Sequence, residues 1–265
     1  IDIHFNGDLY SEQQIAAEKM LYNDIGVLAA ATAFGKTVLG AYLIAEKKVN
    51  ALVLVHNVEI MNNWIKDLSS FLTINEELPT YTTPKGRVKK RSSLIGTFSS
   101  QKDSTTGIID IAMITSLGRE DNINELVRNY GMVIVDECHH AAAVTHENVL
   151  RAVTARYVYG MSATINRGDK QDKKMFMQLG PIRHRYTAKE RAQKQGIGHY
   201  IYPRFTRLVD LNQSEDRNPA DYYRLIMQSE LRNMQIVSDT IDCVKRGRTP
   251  VVMTKYKEHA QKLYD

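Results

Sequence analysis

The sequence predicts an α/β protein with a mostly parallel, doubly wound sheet and helices on both faces. Three observations predict it. The apolar runs Val27–Ala31, Ala51–Val55 and Met132–Val135 lack alternation, as strands covered on both faces do. Amphipathic stretches separate such runs at the spacing of βαβ units. No Asn-Gly hairpin signature stands between them. The composition is that of a globular chain: 265 residues, 43% hydrophobic and 25% charged, with six prolines and 15 glycines. It excludes collagen-like, low-complexity and disordered chains. A formal charge of +5 permits a polyanionic partner without requiring one. Two distant cysteines, Cys138 and Cys243, point to a reducing compartment, and the expected location is the cytoplasm. No apolar run reaches the ~18 residues of a membrane span, so no membrane partner is expected, and no signal peptide is visible. A start at Ile1 rather than Met suggests a piece cut or processed from a longer chain.

The elements follow in order. Ile1–Tyr10 reads as short and polar. Ser11 is placed as a helix N-cap with Gln14 completing a capping box, ahead of helically spaced Ile15, Ala16, Met20 and Leu21. A strand over Val27–Ala31 leads to a helix over Lys36–Lys47, then a strand at Ala51–Val55 and a helix at Ile60–Phe71. Residues 75–107 read as loops, with a basic cluster (Lys85, Arg87, Lys89, Lys90, Arg91) and a short strand near Ser93–Phe98. Strands are expected at Ile108–Ile114, Met132–Val135 and Tyr157–Met161. Helices are expected over Asn122–Asn129, around Val149–Val153 and ending at Met175–Leu179. Further on, residues 199–211 resemble one extended strand. A helix of more than 20 residues is expected over Pro219–Val244, a strand over Arg248–Met253 and a helix over Glu258–Tyr264. One strand and two helices cannot cover a sheet of their own, so this end reads as the opening of a second domain.

Two motifs carry chemistry. The run from Ala30 through Thr32, Ala33, Phe34, Gly35 and Lys36 to Thr37 follows an apolar strand and opens a helix. Backbone N–H groups at such a turn face an anion. Lys36 suits β and γ phosphates, Thr37 can offer a hydroxyl to Mg²⁺, and Gly35 lets the backbone approach. The full phosphate-loop pattern is not met, since Ala30 stands at its first glycine. The second motif, Asp136-Glu137, ends a buried strand, and in open α/β sheets ligands sit at that edge. There Asp136 would hold Mg²⁺ and Glu137 would orient and deprotonate water. Cys138, His139 and His140 are too close together for a tetrahedral zinc site.

Taken together, TAFGKT (Thr32–Thr37), DECHH (Asp136–His140) and Ser162-Ala163-Thr164 resemble the superfamily 2 helicases and translocases of the DExH type, nearest the type III restriction subunit and XPB-like branch. Gly7, Leu9 and Gln13, Leu52–Trp64, Ile111–Ser116, the segment RYVYGMSATINR, and Val251–Leu263 are similar to further motifs of that group, so the resemblance spans essentially the whole chain. It implies a RecA-like P-loop NTPase fold over residues 1–208 and, over 209–265, a linker helix with the truncated start of a second RecA-like domain. It also implies ATP and Mg²⁺ as cofactors and ATP-driven movement on nucleic acid, DNA more than RNA. Lys36, Asp136 and Glu137 would be catalytic. Gln13 and Thr32–Thr37 would bind nucleotide, with Gln13 reading the adenine edge, and Thr37 and Asp136 would hold the metal. His139, Ser162 and Thr164 would couple nucleotide to nucleic acid, whose backbone His56, Asn57, Thr115 and Ser116 would touch.

The departures from the group set further expectations. Ala33 stands where Gly is usual, and Ile165 replaces a proline. The chain ends before the motif that supplies arginine fingers, which contribute ~10³ to 10⁵ in rate in related enzymes. Weak or absent turnover by this chain alone is therefore expected. The alternative is a catalytically weak or inactive regulatory module of the same fold. The cluster Lys85–Arg91 and a second set (Arg183, Arg185, Lys189, Arg191, Lys194) serve either as phosphate contacts or as solvated faces.

Overall fold

Seven strands make the central sheet: β1 (Ile25–Ala30), β2 (Ala51–Val55), β3 (Ile95–Phe98), β4 (Ile109–Met113), β5 (Met132–Asp136), β6 (Tyr157–Ser162) and β7 (Ile182–Tyr186). Their order is β7-β1-β6-β5-β2-β4-β3, and every neighbouring pair is parallel. The protein is described from a computed structural model over residues 1–83, 85–119, 122–140, 144–163, 172–196, 198, 200–206 and 218–265. It divides into two compact units, Ile1–Gly198 and His199–Asp265.

The strand pleat sends successive side chains to opposite faces, and both faces are apolar. Leu28, Ala30, Val53, Ile134, Tyr159 and Met161 meet the helices α1 (Ser11–Leu21), α2 (Lys36–Lys47) and α3 (Val58–Phe71) in one core. Val27, Ala29, Leu52, Leu54, Val133 and Val135 form a second core with α4 (Ile114–Leu117), α5 (Val144–Ala152) and α6 (Asp172–Leu179). The sheet is thus doubly wound, which is why its strands read as unbroken apolar runs. A short helix, α7 (Ala188–Lys194), follows the edge strand β7.

Several expectations need correction. Ser11 is the first residue of α1, not its cap; Tyr10 precedes the helix, and its N–H donates to Gln13 Oε1 rather than to Gln14. The start of the chain is not merely polar, since Ile3–Phe5 pairs antiparallel with Leu72–Ile74. Thr80–Thr82 and Val88–Lys90 form an antiparallel pair, so part of the basic cluster lies on a hairpin rather than in loops. Residues 122–129 hold a two-residue strand, Asn122–Ile123, and a 3-10 turn, Glu125–Arg128, in place of a helix. Asn124 explains this, because its side chain accepts from Leu126 N and ends the extended backbone there.

Among the described residues the unit His199–Asp265 holds three helices, α8 (Pro219–Gln228), α9 (Glu230–Lys245) and α10 (Lys257–Tyr264). The single long helix expected over 219–244 is two. Ser229 leaves helical geometry (ψ 106°) and serves as the end of α8 and the start of α9. Residues 248–253 and 200–206 are not in strands, since no neighbouring strand pairs with them among the described residues. The rest of the strand expected over 199–211 lies outside the described residues.

Candidate active site

β1, β6 and β5 are neighbours, so the segments leaving their C-terminal ends converge on one sheet edge. After β1 the chain makes the phosphate loop. Its turn needs positive φ at Ala33 (60°) and Gly35 (82°). Gly35 is required twice over, since a Cβ there would lie 2.4 Å from Gln13 Nε2. Ala33 adopts the left-handed conformation despite its Cβ, at a cost of ~1–2 kcal/mol.

Gln13 braces the loop. Its Nε2 donates to Phe34 O at 2.9 Å, and its Oε1 accepts from Tyr10 N at 2.9 Å. A glutamine amide has two N–H donors and two carbonyl lone pairs, and these two bonds use one of each. Beside it lies a hollow of about 440 Å³, bounded by Tyr10, Ala33, Phe34, Tyr186 and Arg191 among others. Arg191 Nη1 donates to Thr32 O at 2.6 Å. Lys194 pairs with Glu12 and donates to Ser11 Oγ at 3.1 Å. Arg183 Nε donates to Ile25 O at 3.0 Å. These three members of the second basic set therefore brace the fold around β1 and α1.

Across the edge, Lys36 Nζ reaches Glu137 Oε1 at 3.0 Å, so the two motifs, a hundred residues apart in sequence, meet directly. The hollow bounded by Tyr10, Ala33 and Phe34 lies on the Gln13 side of the loop. Glu137 holds φ 46°, a strained value for a non-glycine residue, which costs ~1–3 kcal/mol and is met at active sites. Its N–H donates to Asp136 Oδ1 at 2.9 Å. Ser162 Oγ donates to Glu137 Oε2 at 3.3 Å, and His139 Nδ1 lies 3.2 Å from that oxygen and 2.8 Å from Ser162 Oγ. His139 and Ser162, the residues expected to couple nucleotide to nucleic acid, are thus in contact with Glu137, while Thr164 lies outside the described residues.

The two carboxylates are tuned in opposite directions. Burial raises Asp136 above the ordinary carboxylate range, although the hydrogen bonds from Trp64 and the Glu137 N–H pull the other way. Burial also opposes charge on Glu137, but Lys36 and His139 outweigh it and hold that group below its usual value. The Cys138 thiol is driven up by burial, and its Sγ lies 3.0 Å from where a Cβ on Gly160 would sit, which makes it a packing residue and not a nucleophile.

Two residues read differently from sequence. Trp64 is fully buried, as its helical spacing implies, but its Nε1 donates to Asp136 Oδ2 at 2.8 Å. Asp67, which belongs to no motif, accepts the Thr37 hydroxyl at 2.5 Å. Neither contact has a local signal, because each joins residues 30 or more positions apart.

The donor set fits Mg²⁺, a hard cation that takes hydroxyl and carboxylate oxygen. Among the described residues no group of three or more His, Cys, Asp or Glu could hold a metal by itself. Mg²⁺ in ATPase sites draws most of its ligands from phosphates and water, so Thr37 and Asp136 are the protein's expected share. His56 and Asn57 follow β2, where Asn57 caps α3 by accepting from Ile60 N at 2.8 Å. Thr115 and Ser116 lie in α4, directly after β4, and Thr115 is exposed. All four nucleic-acid candidates therefore sit at the C-terminal edge of the sheet, the edge that carries the phosphate loop.

Residues 6–167 match the family described as type III restriction enzyme, res subunit. The chain belongs to this family and carries a superfamily 2 DExH-type helicase/translocase domain. It is 25% identical over 187 residues to a protein of Acanthamoeba polyphaga mimivirus provisionally named an ATP-dependent RNA helicase, a match covering 69% of this chain and 33% of the relative. It is 22% identical over 187 residues to the DNA 3'-5' translocase XPB2 of Sulfurisphaera tokodaii, covering 71% and 38%. The chain thus spans well under two thirds of these relatives' lengths. The fold is similar to that of the UvsW helicase from bacteriophage T4, with a TM-score of 0.50, 14% identity and coverage of 67% and 60%. No described helix is long and apolar enough to cross a membrane.

Proposed function

We propose that this chain is the nucleotide-hydrolysing part of an ATP-dependent helicase or translocase that moves on nucleic acid, DNA in preference to RNA. The observation that carries the reading is the contact of Lys36 with Glu137 across one sheet edge, with Asp136, His139 and Ser162 around it. In this reading residues 1–208 are the first motor domain, and 209–265 are a linker helix and the beginning of a second.

The chemistry follows from the geometry. Lys36 and the N–H groups at the start of α2 take the β and γ phosphates, for which Lys36 must leave Glu137. Glu137 then accepts a proton from a water in line with the γ phosphate, and its strained backbone aims the carboxylate there. Thr37 and Asp136 would hold Mg²⁺, which would neutralise the charge of the phosphates when bound. Gln13 turns its remaining N–H and lone pair to the base. His139 and Ser162 touch Glu137 and pass its state to Thr164 and onward to the nucleic-acid side, where backbone contacts from His56, Asn57, Thr115 and Ser116 give little sequence preference.

Phosphate release by the full-length parent, with DNA, with RNA and without either, tests this. Stimulation by DNA above that by RNA, abolished in Glu137→Gln, is expected. A parent with no nucleic-acid-stimulated turnover removes the motor reading and leaves a regulatory nucleotide-binding module. In this reading the arginine fingers belong to the second motor domain, and turnover by the 265-residue chain alone is expected to be weak.

A further inference from the structure

We propose that α3 positions the metal site, with Trp64 and Asp67 as the positioning residues. Resting on the nucleotide reading above, this inference names what holds Thr37 and Asp136 in place. The two candidate metal ligands come from different motifs. Each is bonded to α3: Asp136 Oδ2 accepts from Trp64 Nε1 at 2.8 Å, and Thr37 Oγ1 donates to Asp67 Oδ2 at 2.5 Å. Trp64 and Asp67 are three residues apart and so share one helix face.

Both contacts are built in. Trp64 is fully buried, and its ring lies against α2 only because Gly40 has no side chain: a Cβ there would fall 2.4 Å from Trp64 Cη2. The indole therefore has one place to stand, with its N–H on Asp136. An indole N–H is donor only and cannot compete with a cation for the site; it fixes Oδ2, while Oδ1 accepts from the Glu137 N–H and keeps its second lone pair for the ligand. Asp67 works in a complementary way. By taking the hydroxyl hydrogen of Thr37 it turns the oxygen lone pairs away from itself, which is the orientation a cation needs.

The same helix begins at the nucleic-acid candidates. Asn57 caps α3, and His56 is its neighbour, with Asn57 Nδ2 and His56 Nε2 3.3 Å apart. Seven residues of helix, about 10 Å, separate Asn57 from Trp64. A phosphate bound at the start of α3 therefore acts on a rigid rod that also carries the anchors of Thr37 and Asp136. This gives nucleic acid a physical route to the metal site that does not pass through His139 or Ser162.

The test is Mg²⁺ titration of fluorescent ADP binding to the 265-residue chain, with and without a single-stranded oligonucleotide, in wild type, Trp64→Phe, Asp67→Leu and Asp67→Asn. In wild type, Mg²⁺ tightens binding and the oligonucleotide lowers the Mg²⁺ midpoint. Trp64→Phe keeps an aromatic ring on α3 and loses the N–H; Asp67→Leu loses the acceptor. Each is expected to raise the Mg²⁺ midpoint about fivefold, the factor that one ordinary hydrogen bond supplies. Each should also lose the oligonucleotide shift while binding ADP in EDTA as wild type does. Asp67→Asn keeps an acceptor for the hydroxyl and is expected to rescue the midpoint. Wild-type Mg²⁺ midpoints in Trp64→Phe and Asp67→Leu overturn the proposal, as does equal weakening in EDTA and in Mg²⁺, which marks a packing role. A wild-type chain whose ADP binding ignores Mg²⁺ removes the nucleotide reading itself, and this inference with it.

Discussion

Gly35 and Glu137 both hold positive φ, for different reasons. At Gly35 the backbone needs the left-handed turn and Gln13 fills the space a side chain would occupy, so Gly35→Ala meets both strain and a clash. Left-handed alanine costs ~1–2 kcal/mol, and displacing Gln13 loosens Phe34 as well. Nucleotide binding is expected to weaken by about tenfold or more, measured by calorimetry. Wild-type affinity in Gly35→Ala would mean that the loop can be formed another way. At Glu137 the strain serves the carboxylate, and its charge leaves a signature in acid. Its folded pKa lies below the unfolded value, so its stabilisation is present above the ordinary carboxylate range and is lost as pH falls through the lower folded value. Asp136 has the opposite sign: its raised pKa costs stability while it is ionised, and the cost is relieved as pH falls through that raised value. Thermal unfolding in EDTA should therefore show Glu137→Gln losing stability relative to wild type at neutral pH and converging with it in acid. Asp136→Asn should be relatively favoured at neutral pH. Parallel pH profiles for the two variants would contradict this assignment.

At the scale of elements, α2 and β2 have the bounds that the sequence implies. Gly35 and the left-handed Lys48 mark the ends of α2, and the unbroken apolar run at Ala51–Val55 leaves no other register for β2. The phosphate loop and the acidic pair were legible for the same reason, since each is a local motif at the end of a buried strand. What braces them was not. Arg191 reaches Thr32 from 159 positions away, and Trp64 and Asp67 act through contacts that only the packed helices create. The break at Ser229 was hidden because its sequence keeps helical spacing on both sides. Helix α3 offers a prediction at this scale. Asn57→Ala removes the side chain that accepts from Ile60 N, and such a cap contributes ~1 kcal/mol. For a protein of this size the melting temperature is expected to fall by about 2–4 °C. If α3 also carries nucleic acid at its start, the same variant weakens oligonucleotide binding beyond what that loss of stability accounts for. An unchanged melting temperature would show that α3 is held by its apolar face alone.

The two units differ in how their chain is buried, and the difference decides which of them folds alone. Residues 1–198 contain all seven strands of the sheet and both apolar cores. Among the described residues of 199–265, the buried side chains are Asn233 and His259, which bond each other at 3.0 Å. Many large apolar residues there face outward: Ile201 is 93% exposed, Phe205 89% and Met253 91%. A polar pair and helix propensity cannot offset the entropy of ordering such a segment, because helices of this length draw their stability from tertiary packing. Residues 1–198 are therefore expected to unfold cooperatively, with a midpoint within about 3 °C of the whole chain, since the core that sets it is unchanged. Residues 199–265 alone are expected to give a broad, non-cooperative thermal transition by circular dichroism. A sharp transition from that segment would show a core of its own. In that event it would no longer fit the proposed opening of a second domain, whose sheet must be completed before its helices have a surface to cover.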